Sequence, residues 1–148
     1  MSIGFEQLEI LLVEDNPEDA EMTMRALRKR NLANHVHWVK DGEEALDYLF
    51  RRGSYENRPD HPLALILLDL KMPKLSGAET LQAIKSSDHF KSLPVVMLTS
   101  SRETQDLQTC YKMGANGYVV KPVDAKQFIM AISTLATYWL TANETAPS

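Results

Sequence analysis

Asp69 closes the apolar run Leu63-Ala64-Leu65-Ile66-Leu67-Leu68, and an acid in that place stands where a buried strand emerges at the mouth of a sheet. Such a carboxylate is placed to react. Two more apolar runs end comparably: Leu8-Glu9-Ile10-Leu11-Leu12-Val13 reaches Glu14-Asp15, and Val95-Val96-Met97-Leu98 reaches Thr99. Gly117-Tyr118-Val119-Val120 leads into Lys121-Pro122. If these runs are strands pointing the same way, acids, a hydroxyl and an ammonium converge on one edge. Crowded carboxylates repel one another, so the cluster is stable at neutral pH only beside a cation or with a proton retained. An all-oxygen, partly hydrated site suits Mg²⁺, a hard ion that prefers carboxylate, carbonyl and water. Lys121 adds a movable positive charge.

The elements that must position these residues are legible between the runs. Asn16-Pro17-Glu18-Asp19 sets a capping residue before proline at the first helical position and acids in the first turn. Asp41-Gly42-Glu43-Glu44, Ser76-Gly77-Ala78-Glu79, Ser100-Ser101-Arg102-Glu103 and Asp124-Ala125-Lys126-Gln127 carry the spacing that lets two side chains satisfy helix-end amides reciprocally, or its Asp variant. Strands are expected at about Leu8 to Val13, His35 to Val39, Leu63 to Leu68, Val95 to Thr99 and Gly117 to Val120. Strand and helix alternate throughout, which implies right-handed crossovers and a doubly wound α/β domain: a five-stranded parallel sheet with five helices. Ligands bind such sheets at the carboxyl ends of the strands, where the strand order reverses. Helical spacing assigns Ala45, Leu46, Leu49 and Phe50, then Leu81 and Ile84, then Leu107, Cys110 and Tyr111 to the core. The polar stretch from Gly53 to Pro62 is longer than an ordinary connection and is expected to protrude as an ordered loop.

Composition narrows the function classes. With 148 residues and 44% hydrophobic content, one well-buried domain is expected: an N-terminal lead at 1–7, the domain at 8–140 and a frayed tail at 141–148. A net charge of -4 argues against a nucleic-acid surface, and Arg28-Lys29-Arg30 and Arg51-Arg52 read as solvated helix ends. Cys110 stands alone, so neither a disulfide framework nor a cysteine metal site is expected. With no secretory pattern at Met1 to Glu6 and no apolar stretch near the roughly 20 residues that span a bilayer, the expectation is a cytoplasmic protein without a membrane partner. His35 and His37 share a strand face, but no third ligand is evident, and solvation on an edge strand is expected. His61 and His89 lie in loops. No phosphate-cradling or dinucleotide-binding glycine motif occurs.

In their order, these residues resemble the receiver domain of two-component response regulators from Leu8 to Leu140. The resemblance rests on Glu14-Asp15, on Leu67-Leu68-Asp69-Leu70-Lys71-Met72-Pro73-Lys74-Leu75-Ser76-Gly77, on Thr99-Ser100-Ser101, on Tyr118 and on Lys121-Pro122. It implies a flavodoxin-like sheet in the order 2-1-3-4-5. Asp69 is then similar to the phosphoacceptor that takes a phosphoryl group from a sensor histidine kinase. Glu14 and Asp15 resemble the acidic pair that holds Mg²⁺, with Asp69 and the Lys71 backbone carbonyl as further ligands. The resemblance implies that Thr99 closes onto the phosphoryl oxygen, that Tyr118 turns inward behind it, that Lys121 contacts the acyl phosphate and that the bond to Pro122 is cis. The protein would catalyse its own phosphotransfer and slow dephosphorylation, not turn over a separate substrate. The resemblance places Lys71 and Ser101 at positions that vary in the family and there tune phosphoryl lifetime.

The long second loop with Gly53-Ser54-Tyr55-Glu56-Asn57, and Tyr138-Trp139-Leu140 at the end of the last helix, resemble the single-domain regulators partnered with bacterial phytochrome kinases. No effector domain is expected after Leu140, and a stand-alone regulator is expected, as an output device or as a phosphate sink or relay intermediate. A rival is a Mg²⁺-dependent phosphohydrolase, but its usual general acid, two residues after the nucleophile, is replaced by Lys71. The last helix can face the sheet through Phe128, Ile129, Ile132, Leu135 and Ala136, leaving Met130, Tyr138, Trp139 or Leu140 partly outside. A homodimer is therefore expected through this helix with the fourth helix and the fifth strand.

Overall fold

The computed structural model describes residues 9–29, 36–59, 62–100, 102–121 and 125–139. Five parallel strands are β1 (Glu9–Val13), β2 (Val36–Val39), β3 (Leu63–Asp69), β4 (Val95–Thr99) and β5 (Gly117–Val120), and their order in the sheet is β2-β1-β3-β4-β5. The helices are α1 (Pro17–Arg28), α2 (Gly42–Phe50), α3 (Gly77–Lys85), α4 (Thr104–Lys112) and α5 (Ala125–Thr137). The chain thus has the expected flavodoxin-like architecture, with the reversal of strand order between β1 and β3.

Alternation along the strands divides the core in two. Ile10 and Leu12 of β1, Leu65 and Leu67 of β3 and Val96 and Leu98 of β4 pack with Ala26, Leu27, Phe128 and Ile132 under α1 and α5. Leu11, Val13, Ile66, Leu68 and Met97 point the other way, onto Ala45, Leu49, Leu81, Ile84 and Cys110 of α2, α3 and α4. Because both faces are covered, Ile10 to Val13 of β1, Leu63 to Leu68 of β3 and Val95 to Leu98 of β4 are apolar without interruption rather than alternating. The buried Ser133 hydroxyl donates to the Ala26 carbonyl at 2.8 Å and fixes α5 against α1.

The helix starts follow the expected chemistry with two differences. Ser76 and Glu79 form a full capping box, and the Asn16 side chain accepts from the amides of Glu18 and Asp19. Asp41 accepts from the Glu44 amide at 2.8 Å, but Glu44 returns to the Lys40 amide, one residue beyond the expected partner. Helix α4 begins after Glu103, which makes no side-chain cap bond, and not at Ser100. Ser101 and the expected cap Asp124 lie outside the described residues.

Three further expectations are corrected. Leu107 and Tyr111 of α4 and Phe50 of α2 are exposed, because helical periodicity marks an apolar stripe without saying whether a neighbouring element covers it. The segment after α2 does not simply protrude: Gly53–Tyr55 form a 3₁₀ turn, and Arg58 reaches back to the Tyr48 carbonyl with its guanidinium 4.3 Å from the Tyr48 ring centre. His37 is not solvated at the sheet edge; it stacks on Tyr48 at 4.3 Å and meets the Tyr55 hydroxyl at 3.2 Å. His89 lies in the turn between α3 and β4, as expected, and packs edge-on against the ring of Phe90 at 4.6 Å. The expectations for His35, His61 and both termini fall outside the described residues.

Candidate functional site

The crevice between the carboxyl ends of β1 and β3 gathers the acids. Glu14 follows β1, where its backbone amide donates to the Val39 carbonyl at 3.1 Å and its own carbonyl accepts from the Trp38 indole at 2.8 Å. Both neighbours on β2 therefore fix the chain at the point where the acidic pair departs. Asp69 is the last residue of β3, with its side chain 9% exposed. Carboxylate oxygens of Glu14, Asp15 and Asp69 lie within 4.8 Å of one another. Glu14 and Asp69 are buried and Asp15 is exposed, so the cluster opens to solvent on one side.

Gly77 explains how helix α3 starts so close to this crevice. A Cβ at Gly77 would stand 2.2 Å from the Asp69 carbonyl oxygen and 2.6 Å from the Leu70 Cα, so no larger residue fits there. Its amide donates to the Leu70 carbonyl at 2.8 Å and ties the loop after Asp69 back on itself. Between these anchors Lys74 adopts a left-handed backbone at φ 64°. Lys71 and Met72 thus sit in a short connection tied at both ends.

Lys121 reaches the cluster from the end of β5. Its ammonium donates to Glu14 at 2.7 Å and to Asp19 at 2.8 Å, and stands 3.6 Å from Asp69. Its backbone amide donates to the Thr99 carbonyl at 2.7 Å, which locks β5 to β4 beside the site. Thr99 is buried at the end of β4, and Tyr118 packs partly buried against the core on the α2–α4 side. The structure brings Glu14, Asp15, Asp69, Thr99 and Lys121 to one sheet edge; Tyr118, paired with Met97, lies further back along β5. Pro122 and Leu140 lie outside the described residues.

Charge is unbalanced here. Burial pushes the Asp69 carboxyl up to about 7, helped by the neighbouring charge of Glu14 and opposed by Lys121. Burial also raises Glu14, outweighing the pull of its bond with Lys121. Burial alone would lower Lys121, but hydrogen bonds to Asp19 and Glu14 and the charges of Glu14 and Asp69 raise it instead. Both partners of the Glu14–Lys121 pair therefore move upward, for opposite reasons: the ammonium stays charged, and the acids, in excess, favour a proton or a further cation. The donor set fits a hard divalent ion, since it is all oxygen, carries excess negative charge and is open on the Asp15 side.

Two participants escaped sequence reasoning. Asp19 looks like an ordinary acid in the first turn of α1, and only folding brings it to Lys121. Trp38 sits on an edge strand, where nothing in its neighbourhood announces a bond to the Glu14 carbonyl.

The model of the response regulator receiver domain matches residues 10–133. The response regulator Rcp1 of Synechocystis is 34% identical over 131 residues, which cover 88% of each chain. A Mn²⁺-bound structure of Rcp1 superposes with a TM-score of 0.84 at 32% identity, covering 95% of this chain and 99% of the other. The phosphorylated cyanobacterial phytochrome response regulator RcpA gives a TM-score of 0.86 at 34% identity over 94% of this chain and 98% of its own. The bacteriophytochrome response regulator AtBRR is 57% identical, with a TM-score of 0.73 over 92% of this chain and 97% of its own. On the matched residues and the convergent edge they build, this chain belongs to the response regulator receiver domain family of two-component signalling, and it resembles the phytochrome response regulators within it.

Proposed function

We propose that the protein accepts a phosphoryl group on Asp69 from the phosphohistidine of a sensor histidine kinase, and that this kinase is a bacteriophytochrome. One observation carries the reading: a nearly buried carboxylate stands 3.6 Å from a lysine ammonium and within 4.8 Å of two more carboxylates, at the switch point of the sheet. An Asp69 oxygen bonds to phosphorus as the P–N bond breaks, and the bonding pair leaves with the imidazole. Lys121 is placed to meet the charge on the transferred oxygens. Glu14, Asp15 and Asp69, with the Lys71 carbonyl, would hold Mg²⁺, which when bound offsets phosphoryl charge. The Mn²⁺-bound form of Rcp1 and the phytochrome relatives support the metal and the kinase class respectively.

Thr99 and Tyr118 are the proposed output. A phosphoryl group adds strong acceptors beside Asp69 and draws the Thr99 hydroxyl toward it, vacating space that Tyr118 fills. The surface remodelled in this way includes α4, β5 and α5. Met130 and Tyr138 stand there 61% and 51% exposed, and Trp139 is partly buried, which supports a homodimer through α5 with α4 and β5. Incubation with Mg²⁺ and acetyl phosphate should add one phosphoryl group by intact mass, absent from Asp69→Asn. Equal labelling of both proteins rejects the assignment. Sedimentation of wild type against Trp139→Ala tests the dimer, and a wild type that stays monomeric through the micromolar range, phosphorylated or not, rules it out.

A further inference from the structure

The Lys121 ammonium has three N–H donors, and two are committed, to Glu14 at 2.7 Å and to Asp19 at 2.8 Å. With two directions fixed, the third donor is left toward Asp69, whose nearer oxygen is 3.6 Å away. Asp19 is itself held on both sides: its amide donates to Asn16 at 3.1 Å, and its carbonyl accepts from the buried Thr23 hydroxyl at 3.0 Å. Glu18, in the same first turn, serves the helix dipole equally well. Of the two, Asp19 is the one whose carboxylate reaches Lys121. Its side chain is 29% exposed, so it stands on the solvent side of an ammonium that is otherwise enclosed.

We propose that Asp19 is a positioning residue for phosphotransfer, holding the Lys121 ammonium from the α1 side so that its remaining N–H is aimed at the oxygens gathered on Asp69. The inference rests on the phosphoacceptor reading and deepens it. Glu14 alone cannot perform this task, because it also belongs to the acid cluster that would hold a cation. A lysine with one anchor pivots about it, whereas a lysine with two is oriented.

Acetyl phosphate is a suitable probe: an Asp69 oxygen bonds to phosphorus while the acetyl P–O bond breaks, and acetate leaves with the bonding pair. At saturating donor, Asp19→Ala should label about ten-fold more slowly, since misplacing a group near the chemistry acts on the rate. The half-saturating donor concentration and the Mg²⁺ affinity should each stay within about two-fold, because neither depends on the aim of the ammonium. Asp19→Asn should recover most of the loss, as its amide oxygen still accepts from Lys121. In a Lys121→Ala background, Asp19→Ala should have no further effect.

The proposal is overturned if Asp19→Ala labels as fast as wild type, if Mg²⁺ affinity falls in step with the rate, or if the two substitutions are additive. Asp19→Ser is too short to span the gap and carries the same expectation if Asp19→Ala folds poorly. Independently of any labelling, the Lys121 ¹⁵N ammonium signal of metal-free protein should be sharp in wild type and exchange-broadened in Asp19→Ala; equal signals also reject it. A wild type that takes no label at all would overturn the phosphoacceptor reading, whereas a labelled wild type with an indifferent Asp19→Ala overturns only the role of Asp19.

Discussion

Glu9 opens strand β1 and Glu14 follows its end, and both carboxylates are buried, yet they are accommodated by opposite means. Glu9 accepts from the Tyr48 hydroxyl inside a set of rings with a cation of its own: His37 stacks on Tyr48, the Arg58 guanidinium covers the Tyr48 ring, and Tyr55 meets both Tyr48 and Glu44. Burial and the hydrogen bond to Glu9 push the Tyr48 phenol upward, and burial with Glu44 pushes Tyr55 to about 12, so both hydroxyls remain donors. Glu14 faces Asp15, Asp19 and Asp69 with Lys121 as the shared cation. The first cluster closes on itself and holds the loop after α2 in place. The second is left with excess negative charge, which is what a site needs if it is to take up a metal ion and exchange a phosphoryl group.

The sharpest way to separate the two regions is Asp69→Asn, which should reduce labelling to background while improving stability. The folded-state carboxyl of Asp69 sits near 7 against an ordinary 3.8, so the folded protein retains a proton that the unfolded chain gives up. The stability this contributes is therefore lost as pH rises through about 7, with a ceiling of about 4 kcal/mol for an isolated group. Sharing of the proton with Glu14 reduces it. Urea unfolding at pH 5 and pH 8 should show wild type weaker at the higher pH, and both Asp69→Asn and added Mg²⁺ should remove that deficit at pH 8. A wild type equally stable at both pH values breaks the contrast.

Lys121→Ala comes next. It removes a cation from between Glu14 and Asp19 and should cost about 3 kcal/mol at pH 7.5, as expected for breaking a largely buried pair. Labelling should fall further than Mg²⁺ affinity, because in the proposed phosphotransfer the ammonium meets the phosphoryl group and not the ion. The reverse order, read by fluorescence or NMR titration beside mass labelling, contradicts its assigned place. Tyr48→Phe acts on the other region, leaving Glu9 without its phenolic donor, and should cost about 1–3 kcal/mol with labelling unchanged. A changed labelling rate in Tyr48→Phe would mean that the two regions are coupled.

The difference between these regions also explains what the sequence made legible. The strands were readable because sheets covered on both faces require continuous apolar runs, and Asp69, Glu14 and Lys121 were readable because each stands directly past such a run. Asp19 was not, since its partner is 102 residues away and its own neighbourhood explains it completely as a helix-start acid. The His37–Tyr48–Tyr55–Arg58 cluster was missed for a related reason. Ring stacking and cation–π contact follow no period along the chain, and a loop rich in Gly, Pro and polar residues looks the same whether its tyrosine and arginine face water or fold back. Leu107, Tyr111 and Phe50 failed in the opposite direction: their spacing is that of a core stripe, but whether a stripe is covered depends on what packs beside the helix.

The smallest effect lies in the acid range, where the two regions should pull against each other. Burial lowers His37 from its ordinary 6.5, aided by Arg58 and opposed by the charges of Glu9 and Glu44. A depressed histidine takes its proton first in the unfolded chain, so the stability it contributes is present above 6.5 and is lost as pH falls through its lower folded value. Asp69 acts in the opposite sense over part of the same range and masks this slope in wild type. In the Asp69→Asn background the histidine slope should emerge as a stability that declines from pH 7 to pH 5. Adding His37→Phe, which keeps a ring against Tyr48 but cannot titrate, should flatten it, with a change smaller than that of Tyr48→Phe. If the acid slope of Asp69→Asn is the same with and without His37, the aromatic cluster is not the source, and the contrast between a closed, ring-lined region and an open one with excess acid holds only for the carboxylates.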